Sequence, residues 1–172
     1  MDPKLMPLPL TWNMLYLKDK KLYIFDTMLQ IVTLYDMIWC IENFKDQLFL
    51  ARPGYSPSWE CSTPNTKRLI IETVDKYKMR EMFKNLLYNL LGDTCSEILS
   101  ITIQNKINIW IESDNHIKTC AKIAYEMGPD VLSYSIYCQN SPDKSTPIKF
   151  KDMDEIENLI GCPDEWKWAN IL

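Results

Sequence analysis

Trp59 and Glu60 stand side by side in the stretch SPSWEC (56–61), and together they can hold one flat, polar ligand. The indole offers a stacking face, and the carboxylate offers two hydrogen-bond acceptors. Nearby prolines and a glycine predict a loop with a restricted backbone; these are Pro53, Gly54, Pro57 and Pro64. The pair is therefore a candidate binding site, and the alternative interpretation is a packed tryptophan beside a solvated glutamate.

Trp110 is a second aromatic residue in an unusual position. The segment ILSITIQNKINIWIE (98–112) predicts a β-hairpin that turns near Asn105. Because side chains alternate along a strand, Lys106 and Trp110 share one face. The other face holds Ile101, Ile103, Ile107, Ile109 and Ile111. Trp110 thus lies opposite the isoleucine face, either in a binding groove or packed under a loop.

Two predicted helices also carry aromatic residues away from their apolar stripes. Residues 33–44 begin with a capping-box pattern and predict a helix, on which Tyr35 and Trp39 point off the core stripe. Residues 78–93 predict a strongly amphipathic helix, on which Tyr88 lies opposite the stripe. Exposed aromatics of this kind are typical of a surface that binds a partner helix, unless the C-terminal tail covers them.

The remaining segments predict the elements that position these residues. Strands are predicted at 11–17, 21–31, 68–74 and 131–138, helices at 114–127 and 153–160, and loops at 52–64 and 139–147. The mixed order predicts an α+β fold. The length predicts a single domain over residues 1–172, with its core at about 6–150 and a C-terminal extension at 151–172.

Composition narrows the classes of function. The formal net charge of -4 argues against a protein that grips long nucleic acid through many phosphates. The six cysteines contain no CxxC pair, which favours reduced thiols over a zinc site. No targeting or membrane-spanning segment is evident, so we expect a cytoplasmic protein. With a single histidine, His116, and no glycine-rich phosphate loop, we expect neither an enzyme nor a cofactor or metal.

Several segments together resemble the translation initiation factor 4E family, which binds the 7-methylguanosine cap of eukaryotic mRNA. The resemblance covers about residues 6–150 and is carried, in order, by MPLPLTWNMLYLKD, YDMIWCIENF, SWE, KRLIIETV, MFKNLLYNLLG and NKINIWIES. It implies a single curved antiparallel β-sheet of about eight strands that holds the cap in its concave face. Three helices are implied on the convex face, where they present a site for the scaffold protein 4G and for repressors.

The resemblance assigns a cap-base site to Tyr23, Trp59, Glu60 and Trp110. Methylated guanine is a cation, so aromatic rings bind it by cation–π attraction as well as stacking. Trp59 matches one stacking ring, and Tyr23 matches the other, with Phe25 as the alternative. Glu60 matches the carboxylate that accepts two hydrogen bonds from the base edge. Trp110 matches the tryptophan beside the methyl group.

Phosphate binding is assigned to basic residues. Lys106 matches a phosphate-binding lysine of the family, a second group comes from Lys67 or Arg68, and Lys144 lies in the loop implied to close over the cap. Where the family has an arginine before Lys106, the ungapped match is Ile101. The missing cation favours weaker triphosphate binding.

The partner surface implied by the resemblance contains Pro7, Leu8 and Trp39, together with four positions where this chain departs from the family pattern: Tyr35, Lys84, Asn85 and Tyr88. We therefore expect binding of capped mRNA, or of 7-methyl-GTP, and of a 4G-type scaffold or a 4E-binding repressor helix, in translation initiation. The alternative is a 4E-like repressor or decoy that binds cap weakly and chooses other partners.

Overall fold

A computed structural model describes residues 7–16, 21–27, 48–55, 58–91, 95–103 and 106–161, and in the first two ranges it describes the backbone alone. The strands are β1 Pro7–Tyr16, β2 Lys21–Thr27, β3 Leu48–Ala51, β4 Thr66–Glu72, β5 Ile98–Ile103, β6 Ile107–Glu112, β7 Ser135–Ser141 and β8 Lys144–Ile148. The helices are α1 Lys76–Leu91, α2 His116–Met127 and α3 Met153–Ile160, with 3-10 turns at Trp59–Cys61 and Pro129–Ser133.

The strands form one eight-stranded sheet in the order β2-β1-β3-β5-β6-β4-β7-β8. Every pair of neighbours is antiparallel. The prediction of an α+β fold built on a single antiparallel sheet is therefore confirmed. β5, β6 and β4 lie in the middle of the sheet, so residues on these strands have neighbours on both sides.

One face of the sheet forms the hydrophobic core with the described helices. The hairpin isoleucines are almost completely buried there, as the sequence alternation predicts: Ile101, Ile103, Ile107, Ile109 and Ile111. Met82, Phe83 and Leu86 of α1 pack into the same cluster. We call this side the helix face and the opposite side the site face.

Side-chain hydrogen bonds cap the starts of α1 and α2, and a glycine follows the end of α2. Asp75 Oδ1 accepts from the backbone N–H groups of Tyr77 and Lys78 and so starts α1. Asn115 Oδ1 accepts from Lys118 N and starts α2. Gly128 follows α2 with a φ of 91°, a conformation that favours glycine. The predicted end of this helix at residue 127 is confirmed.

The predicted helix at 153–160 is confirmed as α3, and it belongs to the packed core. Asp152 caps it by accepting from Glu155 N at 2.9 Å. Ile156 has no exposed surface, and Leu159 and Ile160 pack against the core cluster. The hydrophobic core therefore includes residues beyond 150.

Parts of the predicted secondary structure need correction. Residues 131–133, the start of the strand predicted at 131–138, belong instead to the 3-10 turn Pro129–Ser133. Pro129 and the turn bonds from Val131 N to Gly128 O and from Tyr134 N to Val131 O shape this segment. The predicted loop at 139–147 contains the end of β7 and most of β8. β3 was not predicted, since four residues show too little alternation. The helix predicted at 33–44 and the hairpin turn near Asn105 lie outside the described residues.

Cys95, Cys120 and Cys138 are buried free thiols. Burial raises the pKa of Cys95 and of Cys120 to about 12, so both remain protonated at neutral pH. Among the described helices, none has the length and apolar character needed to cross a membrane.

Candidate functional site

Trp59 and Glu60 lie on a short 3-10 turn that their neighbours stabilise. Ser58 Oγ accepts from Glu60 N at 3.2 Å. The carbonyl oxygen of Trp59 accepts from Ser62 Oγ at 2.6 Å and from Ser62 N at 3.3 Å. These bonds define the backbone direction at both residues, leaving Trp59 half-buried and Glu60 exposed.

The loop after this turn is attached to the end of β6, the strand that carries Trp110. Thr63 Oγ1 donates to Glu112 Oε1 at 2.9 Å, and Asn65 Nδ2 donates to Asp114 Oδ1 at 2.8 Å. Ser113 N also donates to Asn65 O at 3.1 Å. These three bonds connect residues nearly fifty positions apart and hold the Trp59 turn beside β6.

Trp59 and Trp110 are in contact as a result. Their ring centroids are 4.8 Å apart with an interplanar angle of 61°, an edge-to-face arrangement that aromatic pairs favour. Trp110 is only 4% exposed. It lies on the site face, since directly paired residues of neighbouring strands share a face and its partners are Arg68 and Ser100. The structure therefore brings together two of the aromatic residues assigned to the base site.

Arg68 lies over the ring of Trp110, with its Cζ atom 5.5 Å from the ring centroid. Its Nε donates to Gln139 Oε1 at 2.8 Å, which orients the guanidinium. Burial lowers the pKa of Arg68, although arginine remains charged in proteins. Lys67 lies on the helix face instead, where its Nζ donates to Pro64 O at 3.0 Å. Of the two alternatives, Arg68 is the one beside Trp110.

Lys106 lies at the other end of the site face and forms an ion pair with Glu72. The Nζ to Oε1 distance is 3.1 Å, and the two side chains are 49% and 43% exposed. Lys106 precedes Trp110 by four residues, which in an extended strand corresponds to about 13 Å. Lys106 thus lies at the opposite end of β6 from Trp110, and the Glu72 carboxylate partly neutralises its charge.

The structure does not group Tyr23 or Lys144 with these residues. β2, which contains Tyr23 and Phe25, lies at one edge of the sheet, with β1, β3 and β5 between it and β6. Lys144 is exposed at the start of β8, the opposite edge strand, with β4 and β7 between it and β6. The loop between β1 and β2 lies outside the described residues.

The residues assigned to a partner surface are described only in part. Lys84 of α1 forms an ion pair with Glu81 at 3.8 Å. Asn85 Nδ2 donates to Met127 O at 3.2 Å, so this amide joins α1 to the end of α2. Tyr88 lies on α1, and Pro7 and Leu8 begin β1, each described by its backbone alone. Tyr35 and Trp39 lie outside the described residues.

Four residues that shape the site were not singled out from the sequence: Thr63, Asn65, Glu72 and Gln139. Thr63 and Asn65 attach the Trp59 turn to β6, Gln139 orients Arg68, and Glu72 pairs with Lys106. Because side chains alternate along β4, Glu72 lies on the same face as Arg68, so the sequence pattern could have identified Glu72. The other contacts depend on which strands become neighbours.

Together these residues form a site suited to binding a flat ligand that bears phosphate. Half-buried Trp59 offers an aromatic surface beside the buried Trp110, Glu60 offers an exposed acidic edge, and Arg68 and Lys106 offer cations on the same sheet face. An aromatic pair favours planar and especially cationic rings. The carboxylate can accept from a donor edge, and the guanidinium can bind an oxyanion.

No protein-family model matches this sequence, and no curated protein matches it either. Solved structures with a similar fold do exist. One is eIF4E-3 of Ascaris suum in complex with m7G cap, at 21% identity and a TM-score of 0.60, covering 84% of this chain and 98% of that one. A second is eIF4E-3 of C. elegans with the 4E-binding protein Mextli and a cap analogue, at 17% identity and a TM-score of 0.59, covering 81% and 98%.

A third is a schistosome eIF4E complexed with m7GpppG and 4E-BP, at 20% identity and a TM-score of 0.57, covering 81% of this chain and 89% of that one. All three identities are low, so the likeness establishes the fold. The chain has the fold of the translation initiation factor 4E structures, as the sequence motifs indicated.

Proposed function

We propose that this protein binds the 7-methylguanosine cap of mRNA on the site face and acts in translation initiation. The observation that carries the proposal is the contact between Trp59 and Trp110, with Glu60 exposed beside it. The solved structures with this fold include complexes with m7G cap and with m7GpppG. A cationic base gains more from two electron-rich indoles than a neutral base does, which provides selectivity for the methylated form.

The proposed roles follow the placement of the residues. Trp59 stacks on the base, Trp110 contacts it at the methyl side, and Glu60 accepts two hydrogen bonds from the guanine edge. Arg68 and Lys106 bind the phosphate chain. Tyr23 or Phe25 of β2 supplies a second stacking ring.

A helical partner on the opposite side of the molecule is the second half of the proposal. Solved structures of this fold include complexes with Mextli and 4E-BP, both 4E-binding proteins. We propose that a 4G-type scaffold or a repressor helix binds a surface formed by Trp39, Tyr35 and the exposed side of α1. The protein would thereby regulate translation in the cytoplasm.

A fluorescence titration tests cap binding directly. We expect 7-methyl-GTP to quench tryptophan emission strongly and GTP far less, because at least two of the six tryptophans contact the charged base. Trp59→Ala should weaken cap binding by roughly 1–3 kcal/mol, the range for one base–aromatic stack, while Trp59→Phe retains most of it. Glu60→Gln should weaken it by more than about 1 kcal/mol, since a donor then faces a base donor. Equal quenching by the two nucleotides would refute cap recognition.

One observation favours the alternative of a 4E-like repressor or decoy with weak cap binding. Glu72 pairs with Lys106 at 3.1 Å, so phosphate must compete with an internal carboxylate. Ile101 also stands where the resemblance calls for a phosphate-binding arginine, and it is buried in the core. The same titration distinguishes the two candidates, because the alternative predicts selective but weak binding.

A further inference from the structure

Arg68 is a cation that pairs with no carboxylate in the described part of the chain. Lys106 and Lys122 each form an ion pair with a glutamate, whereas Arg68 contacts an indole ring and an amide oxygen. Its side chain is half-buried, so water screens the guanidinium charge only in part. An uncompensated positive charge therefore lies on the site face, next to the place proposed for a positively charged base.

The ring of Trp110 has almost no free surface in this structure. It is 4% exposed, with the Trp59 ring centroid 4.8 Å and the Arg68 Cζ atom 5.5 Å from its own centroid. A base that contacts this ring must displace one of these two groups. Trp59 is proposed to contact the same base, so Arg68 is the group whose place the base takes.

Displacing Arg68 from the ring costs free energy, and the charge of the ligand adds to this cost. Cation–π attraction holds a guanidinium over an indole, and it strengthens where water is excluded. A methylated guanine is also positively charged, so the two cations repel each other until the guanidinium leaves. A nucleoside offers the guanidinium no other partner, whereas a phosphate group does, because arginine binds oxyanions through its planar fork of donors.

The hydrogen bonding of Arg68 allows this exchange. Its Nε donates to Gln139 Oε1 at 2.8 Å. The remaining N–H donors lie on the two terminal nitrogens, and these make no hydrogen bond within the described part of the chain. They are therefore available to a phosphate group while Gln139 continues to orient the side chain.

We infer that Arg68 makes recognition of the methylated base conditional on phosphate. In the free protein its guanidinium occupies the ring of Trp110 and opposes a second cation, and a phosphate group draws it off the ring so that the base can bind. This inference rests on the proposed cap binding and adds its regulation, a positive coupling between the phosphate site and the base site. The ligand class selected is a cationic base that carries phosphate, over the same base as a nucleoside.

Tryptophan fluorescence with 7-methylguanosine, which has no phosphate, tests the coupling in the wild-type chain. Inorganic pyrophosphate, added as a separate molecule, should tighten binding of this nucleoside by about two- to fivefold, the range that one cation–π contact supplies. Sodium chloride at the same ionic strength is the control. Because coupling between two sites is reciprocal, the nucleoside should tighten binding of pyrophosphate by the same factor, which calorimetry measures.

Two substitutions test whether the charge of Arg68 carries the coupling. Arg68→Gln should bind 7-methylguanosine about two- to fivefold more tightly than the wild-type chain, bind 7-methyl-GTP more weakly and lose the effect of pyrophosphate. Arg68→Lys retains the positive charge, so it should bind the nucleoside no more tightly than the wild-type chain. The matched control, Lys149→Gln in the exposed segment after β8, makes the same change in net charge as Arg68→Gln and should leave both affinities unchanged.

Two results would overturn this inference while leaving cap binding intact. One is a wild-type chain whose binding of 7-methylguanosine is tightened no more by pyrophosphate than by sodium chloride. The other is an Arg68→Gln variant that binds the nucleoside no more tightly than the wild-type chain does. Failure of the wild-type chain to bind 7-methyl-GTP would instead overturn the proposed function, and this inference with it.

Discussion

Among the described residues, Arg68 contacts the ring of Trp110 and the side chain of Gln139. A guanidinium over an indole contributes about 0.5–1 kcal/mol at exposed sites and more when water is excluded. Both partners reduce the freedom of the arginine before any ligand binds. A preorganised cation loses less conformational entropy on binding an oxyanion, so Arg68 is better placed for phosphate than a lysine free in solvent.

At the same scale, the buried thiol of Cys120 makes stability depend on pH. Burial raises its pKa from 9.0 to about 12, with the nearby Cys138 adding to the shift. Both folded and unfolded chains keep the proton below about pH 9, and above it the unfolded chain loses the proton first. The contribution of this thiol to stability is therefore complete at neutral pH and declines as pH rises from about 9 to about 12.

We predict that Cys120→Ala lowers the free energy of unfolding less near pH 10 than near pH 7, by about 1.4 kcal/mol. This is the free energy that corresponds to one pH unit above the ordinary thiol pKa. Urea unfolding at both pH values measures this difference. Ile123→Ala, a buried and non-ionisable position on the same helix, serves as the control. If the destabilisation caused by Cys120→Ala and that caused by Ile123→Ala decrease by the same amount between pH 7 and pH 10, the thiol is not responsible for the change.

At the scale of elements, the loop between the Trp59 turn and β4 determines the shape of the site. It carries Trp59 at one end and is attached to β6 through Thr63 and Asn65. The distance between Trp59 and Trp110 thus depends on side-chain bonds to Glu112 and Asp114 rather than on the strands alone.

Helix α3 provides a test of the packing. Ile156 has no exposed surface, so we predict that Ile156→Ala lowers the free energy of unfolding by about 2–5 kcal/mol, the usual cost of truncating a buried isoleucine. Glu157→Ala, the exposed neighbour on the same helix, should change it by no more than about 0.5 kcal/mol. Urea denaturation measures both changes. If both substitutions change the free energy of unfolding by the same small amount, α3 does not pack in the core.

At the scale of the whole molecule, the sheet separates the two proposed binding sites. The site face carries Trp110 and Arg68, while α1 and α2 pack on the helix face through residues such as Phe83 and Ile123. A ligand on one face and a helical partner on the other therefore share no contact among the described residues. Their binding energies should be nearly independent, as expected for distant sites.

We predict that Trp39→Ala weakens binding of a 4G-type helical peptide by about 2 kcal/mol or more, as truncation of an interface hot spot does, and leaves cap affinity unchanged. Calorimetry with the peptide and fluorescence with 7-methyl-GTP measure the two affinities. A truncation that tests whether the tail competes for this surface should remove only residues 162–172, because removal of the whole extension from residue 151 would delete Ile156 and the rest of α3 from the core. Unfolding of Trp39→Ala would show that this residue is part of the core instead.

Local patterns in the sequence determined several elements and the face that each side chain occupies. The isoleucine alternation of residues 101–111 predicted a buried face with Trp110 opposite, and the structure has this arrangement. Helices α1, α2 and α3 were predicted within two residues at each end, since their caps and apolar stripes are local signals. β3 was missed because its short segment depends on pairing with distant strands, and β8 was missed because its polar, proline-containing sequence is typical of a loop.

The choice of neighbours across the sheet was decided only by the tertiary structure. The sequence left Lys67 and Arg68 as equal alternatives, and the pairing of β4 with β6 put Arg68 against Trp110. Nothing in the sequence joins Thr63 to Glu112 or Glu72 to Lys106, because these pairs are 49 and 34 residues apart. Local physics specifies which way a side chain points from its strand, whereas its partners depend on the strands that the folded chain places beside it.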